Sequence, residues 1–248
     1  MFPLFLFFLG LIFGSFFNVV ILRLHAGTSI IAPPSACPKC RVSLAWFDNL
    51  PVISFLLLRG RCRNCRKKIS WQYPLVEMAT GLLFFWVGLR FGQSLPALVV
   101  VGFTGFLLLL FLYDLRYYQV PDSISLPALG FGLFANLWLG VAWSSLAIGI
   151  LVGAGFFLFQ YVVSGGRWIG SGDIRLGGMM GAMLGWQGLL VALFLAYVLG
   201  SIVGVGLLAA RKKQLSSTVP FGTFLTAATF ISLLYGPQLI DAYLSLRL

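Results

Sequence analysis

Long apolar runs are the feature that most constrains this chain: residues 2–22, 74–89, 95–113, 124–143, 145–163, 189–210 and 221–240 are almost free of charge. A bilayer crossing needs about 20 mostly apolar residues, so each run reads as a transmembrane helix. A shorter piece, 174–184, would reach only about 16 Å as a helix; it reads either as a half-span or as a crossing that borrows neighbours on either side, and it is counted as crossing. Composition agrees: 60% of the residues are hydrophobic and 9% are charged, against roughly 45–50% and about 25% in soluble domains. An ordinary soluble globule is excluded.

The charge pattern sets an expected orientation. Lysine and arginine number 17 against 6 acids, for a formal charge of +11, and apolar runs separate the bases. A nucleic-acid partner is therefore not expected. Basic loops are retained on the cytoplasmic side. With the N-terminus outside, Arg23, Lys39, Arg41, Arg59, Arg61, Arg63, Arg66, Lys67, Lys68, Arg116, Arg167, Arg175, Arg211, Lys212 and Lys213 all fall inside. Only Arg90 and Arg247 then remain outside, and omitting the short eighth piece would strand the Arg211 cluster on the wrong face. No base precedes the first run and Arg23 follows it, so it reads as a retained anchor rather than a signal peptide. The expectation is an all-α polytopic membrane protein of about eight transmembrane helices with one cytoplasmic insert. Its parts are a first helix (1–24), the insert (25–72) and a membrane domain (73–248). An anionic lipid surface is the expected partner of so basic a face.

All four cysteines lie in the insert, as Cys37-Pro38-Lys39-Cys40 and Cys62-Arg63-Asn64-Cys65. Two C-x-x-C knuckles can offer four thiolates to a tetrahedral Zn²⁺, a closed structural site without an open position for catalysis. Two disulfides or a redox pair are the other reading, disfavoured by a reducing cytoplasm.

Six acids exist, Asp48, Glu77, Asp114, Asp122, Asp173 and Asp241. An acid at or within a span is a functional candidate by default, which singles out Asp114, Asp173 and Glu77. Asp114 ends the third run, and Asp173 lies in Gly170-Ser171-Gly172-Asp173 before the short apolar piece. Two carboxylates sharing a partly desolvated site supply a general acid and a general base from one residue type. On spacing alone, the same aspartates could equally cap helices or pair with Arg116 and Arg175. Asp122 reads as a helix cap, Asp48 as a turn residue and Asp241 as a solvated terminus. Glu77 reads either as a first-turn acid or as a group that orients an amine or methyl donor. Asn18, polar inside the first run, bonds a neighbouring helix or faces a ligand.

Several motifs together resemble the bacterial type IV prepilin peptidases, a family of membrane aspartic proteases. They are Gly14-Ser15-Phe16-Phe17-Asn18, the two knuckles, Asp48-Asn49-Leu50-Pro51, Arg59-Gly60-Arg61-Cys62, Tyr73-Pro74-Leu75-Val76-Glu77, Asp114 with Val120-Pro121-Asp122, Gly170 to Leu176, and Pro220-Phe221-Gly222. The resemblance implies that Asp114 and Asp173 are the catalytic pair. It implies cleavage of the basic leader from type IV prepilins or type II secretion pseudopilins at the inner-membrane cytoplasmic face. It also implies methylation of the new N-terminus with S-adenosylmethionine, for which Glu77 and Asn18 are candidates. A presenilin-like protease of other specificity and a small ion-coupled transporter are the alternatives. The sequence departs from the family pattern at His25 and Thr223, where proline is frequent, and at Arg175, where lysine is commoner.

Overall fold

The computed structural model describes residues 1–210 and 219–245; Arg211, Lys212, Lys213 and Arg247 lie outside the described residues. The elements are α1 (Phe2–His25), α2 (Ile53–Leu57), α3 (Gln72–Phe91), α4 (Leu95–Tyr117), α5 (Asp122–Trp138), α6 (Trp143–Ser164), α7 (Ser171–Ala209) and α8 (Phe221–Ser245), with a 3-10 turn at Trp46–Asn49. No strand occurs among the described residues beyond two isolated bridges in the insert. Among the described residues, six helices, α1, α3, α4, α6, α7 and α8, are long and apolar enough to cross a membrane. The all-α membrane architecture read from the apolar runs is therefore present. The chain divides into two compact units, residues 1–101 and 102–248.

In the first unit, α1 and α3 run antiparallel at backbone contact. A Cβ on Gly10 would lie 2.7 Å from the Gly81 Cα, and one on Gly14 would lie 2.6 Å from the Glu77 Cα. Lipid offers no hydrophobic drive for helix pairing, so small residues four apart, which let backbones touch, carry the association. The same register brings the Asn18 amide to the Tyr73 carbonyl at 3.3 Å.

In the second unit, α7 packs against α5, α6 and α8. Gly149 and Gly153 of α6 meet Gly181 and Gly177 of α7 so closely that a Cβ on Gly153 would fall 2.2 Å from the Gly177 carbonyl oxygen. The 174–184 piece is not a separate helix: it runs on into the next apolar run within α7, interrupted only by Gly185 at φ 67, ψ 179. That backbone setting is open essentially to glycine alone.

The interruption reverses the chain. Phe157 lies against Gly177, whose Cβ position is 2.6 Å from its ring. Phe221 sits 6.4 Å from the Phe157 ring and 5.1 Å from Tyr197. A straight helix would place Gly177 and Tyr197 about 30 Å apart; instead Phe157, which lies against Gly177, and Tyr197 both meet the ring of Phe221. The two limbs of α7, 171–184 and 186–209, therefore fold back beside one another. A broken helix leaves carbonyls without i+4 partners. Asn136 of α5, buried, donates to two of them, Ala182 at 2.8 Å and Met183 at 2.9 Å.

The glycine contact makes a quantitative prediction. Gly177→Ala should destabilise the purified protein by about 1–3 kcal/mol through overpacking, read as a lower Tm in detergent. Gly155→Ala, where nothing lies within 4 Å of the added methyl, should leave Tm unchanged.

Candidate active site

Asp114 lies one turn before the end of α4, and Asp173 lies in the first turn of α7. Both are buried, at 5% and 8% exposure. The link from α4 to α5 ties their ends together. A Cβ on Gly172 would lie 2.8 Å from Val120, and Arg175 of α7 is paired with Asp122 at the start of α5. These contacts bring the end of α4 that carries Asp114 toward the turn that carries Asp173.

The start of α8 completes the site. Thr223 donates its backbone N–H to Asp114 Oδ2 at 2.8 Å, and the Gly222 amide is a second donor to the same carboxylate. A Cβ on Gly222 would stand 2.9 Å from that oxygen and 3.2 Å from Leu176 of α7. Gly222 thus fits between Asp114 and the turn that carries Asp173. Asp173 Oδ2 accepts from the Gly170 amide at 3.1 Å, so it also caps its own helix. The capping and catalytic readings of Asp173 are therefore compatible. The expected pairing with Arg175 is not made, because Arg175 is taken by Asp122, and the Arg116 guanidinium lies over the Tyr117 ring at 5.4 Å.

Asp122 is corrected in detail. Pro121 occupies the N-cap position without a side-chain cap bond, and Asp122 serves as a first-turn acid whose partner is Arg175. Asp48 is also more than a turn residue: it receives Arg63 Nη2 at 2.8 Å and Nε at 3.0 Å, fastening the 3-10 turn to the second knuckle.

Glu77 falls in the second turn of α3, not the first. Its Oε2 accepts the Val52 amide at 2.7 Å, and the Ser15 hydroxyl is a further donor. Asn18, fully buried, donates to Gly14 and Tyr73 carbonyls and accepts from Gln72. The two candidates for methyl transfer thus sit at one end of the α1–α3 pair.

The knuckles share one geometry. In each, the residue after the second cysteine, Arg41 or Arg66, has positive φ and donates its amide to the first cysteine's carbonyl, at 2.8 and 3.0 Å. The four sulfurs lie within 4.8 Å of one another, and Cys37 and Cys65 are 3.8 Å apart. Zn–S bonds of 2.3 Å imply tetrahedral edges of about 3.8 Å, so the cluster fits a metal and not disulfides, whose sulfurs would sit about 2 Å apart. The Val42 amide draws the Cys40 thiol down to about 6, and the Cys65 and Asn64 amides lower Cys62. The Lys67 amide favours the Cys65 thiolate, but burial and the sulfurs of Cys40, Cys62 and Cys37 push it up to about 11. A divalent cation relieves that crowding of anions.

Comparison with known proteins accords with this geometry. Residues 8–91 match the Bacterial Peptidase A24 N-terminal domain, and residues 101–205 match the Type IV leader peptidase family. A prepilin leader peptidase/N-methyltransferase of Pseudomonas putida is 37% identical over 96% of this chain and 92% of its own. That of Bacillus subtilis is 34% identical over 98% of both chains. The Myxococcus xanthus protein of the same name is 42% identical over 86% of this chain and 65% of its own. The chain belongs to the type IV leader peptidase family. No solved structure matches it.

For a chain of this family, the residues that sequence reading left without a role are Asn136, Gly222 and Thr223. Thr223 had a signal, since it stands where proline is frequent and proline has no N–H to give Asp114. Asn136, a lone amide in an apolar run, had only its polarity.

The cysteine geometry predicts one zinc per chain by elemental analysis of the purified protein. Cys62→Ser should lose most of it, and strong chelation should unfold the insert while leaving the helical circular dichroism of the spans.

Proposed function

We propose that this chain is a membrane aspartic endopeptidase and N-methyltransferase. It removes the basic leader from prepilins or pseudopilins and methylates the new N-terminus. Asp114 and Asp173 are the catalytic pair in this reading. The observation that supports it is the folding of α7 back at Gly185, with the Gly222 contact, which puts two buried carboxylates of remote sequence in one corner.

The scissile peptide lies extended between the aspartates, and an ordered water attacks its carbonyl carbon. One aspartate takes the water's proton while the other donates to the carbonyl oxygen. Collapse of the tetrahedral intermediate returns a proton to the leaving amine, with no acyl-enzyme. The Thr223 and Gly222 amides hold Asp114 in place, and the Gly170 amide holds Asp173.

S-adenosylmethionine supplies the methyl group when bound, and Glu77 and Asn18 are the candidates for orienting donor or acceptor amine. Zinc, held by Cys37, Cys40, Cys62 and Cys65, fixes the shape of the insert. The charge pattern puts the N-terminus outside and the catalytic corner at the cytoplasmic face of the inner membrane, with α5 and both limbs of α7 counted among eight crossings. In this assignment residues 25–72 are the metal insert and residues 73–248 carry the peptidase, within an anionic lipid membrane.

The test is incubation of the purified protein with a prepilin and labelled S-adenosylmethionine, followed by intact-mass spectrometry. The expected product has lost its leader and gained one methyl. Asp114→Asn and Asp173→Asn should each reduce cleavage at least about 100-fold with unchanged helicity and zinc content. Substantial cleavage by either variant would remove that residue from the reaction.

A further inference from the structure

Glu77 also does something that the reaction does not call for: it ties the insert to the second turn of α3. Its Cα lies about 7.5 Å, five helical rises, inside the start of α3, and its carboxylate accepts the Val52 amide at 2.7 Å. Val52 is held at φ 60, ψ −47, a rare setting for a β-branched residue, with the Ile53 amide returned to the Pro51 carbonyl at 2.5 Å. The chain leaving this turn, α2, therefore begins beside the second turn of α3, one of the helices long and apolar enough to cross a membrane.

What α2 presents there is apolar. Ile53 is 54% exposed, Leu56 63%, Leu57 78% and Trp71 66%. Phe55, between them, is buried on Trp71 with ring centroids 4.8 Å apart. The segment is ordered on its inner side and bare on its outer side. Immediately after it come Arg59, Arg61, Arg66, Lys67 and Lys68, all exposed. Aromatic residues of this kind sit at headgroup level, and clustered bases there attract anionic lipid.

We propose that Ile53, Leu56, Leu57 and Trp71 form a foot that seats the metal insert in the cytoplasmic lipid leaflet, with the basic run that follows bound to anionic headgroups. Charge decides the occupant, because a basic leader segment would be repelled by the same run of bases. The inference rests on the orientation proposed above, with α1 and α3 spanning the bilayer, and it stands or falls independently of the peptidase chemistry.

The test uses the full chain in lipid nanodiscs without prepilin, with a benzophenone amino acid at Leu57, at Leu82 on the exposed face of α3, or at Lys39 on the first knuckle. After irradiation, intact mass reports lipid adducts. Leu57 should give an adduct yield similar to Leu82 and at least several-fold above Lys39. Replacing part of the zwitterionic lipid by phosphatidylglycerol should raise the Leu57 yield, and Lys67→Gln with Lys68→Gln should abolish that rise. A Leu57 yield no higher than Lys39, or a protein–protein adduct in place of lipid, would overturn the foot. A yield indifferent to anionic lipid would overturn the headgroup contact. Zinc content of each variant confirms that the insert has folded.

Discussion

Backbone contact between helices, made possible by glycine, is the constraint on which the rest of this molecule depends. Inside a bilayer, apolar side chains gain nothing by leaving lipid for protein, so helices are held by close packing and by hydrogen bonds. Here Gly10 and Gly14 set the α1–α3 pair, and Gly149, Gly153, Gly177 and Gly181 set the α6–α7 pair. The second contact fixes the first limb of α7, and Gly185 reverses the second. Without that reversal the aromatic cluster of Phe157, Tyr197 and Phe221 could not close, and α8 would not begin beside Asp114.

The proposed catalytic corner is built mostly from main-chain groups. Asp114 is held by amides at the start of α8 and Asp173 by an amide at the start of its own helix. Backbone donors at helix starts carry no side-chain entropy and are already aligned by the fold. They hold the two carboxylates in a desolvated site through fixed dipoles. Arg175 is drawn to Asp122, where it fastens the α4–α5 link to α7.

The apolar runs fix most helix positions, because lipid imposes a minimum length and penalises charge, and the cysteine spacing fixes the metal cluster, because two knuckles have few other uses. Asp114 and Asp173 were legible as expensive acids at span ends. The union of the 174–184 piece with the next run was not legible, since a single glycine at positive φ leaves no gap in hydropathy. Nor were the partners of Asn136 and Thr223, which lie on other helices and obey no sequence period. Glu77 was legible as an oddity, but its bond to Val52 depends on a turn in the insert that only the fold reveals.

The central claim is that two carboxylates remote in the chain share one water. An experimental structure of the Asp173→Asn protein in lipid with an uncleaved prepilin tests it most directly. The account predicts the two side chains on opposite sides of the scissile carbonyl, their nearest oxygens within about 6 Å, so that one water reaches both. Side chains separated by more than about 10 Å, with the peptide bound elsewhere, would contradict it.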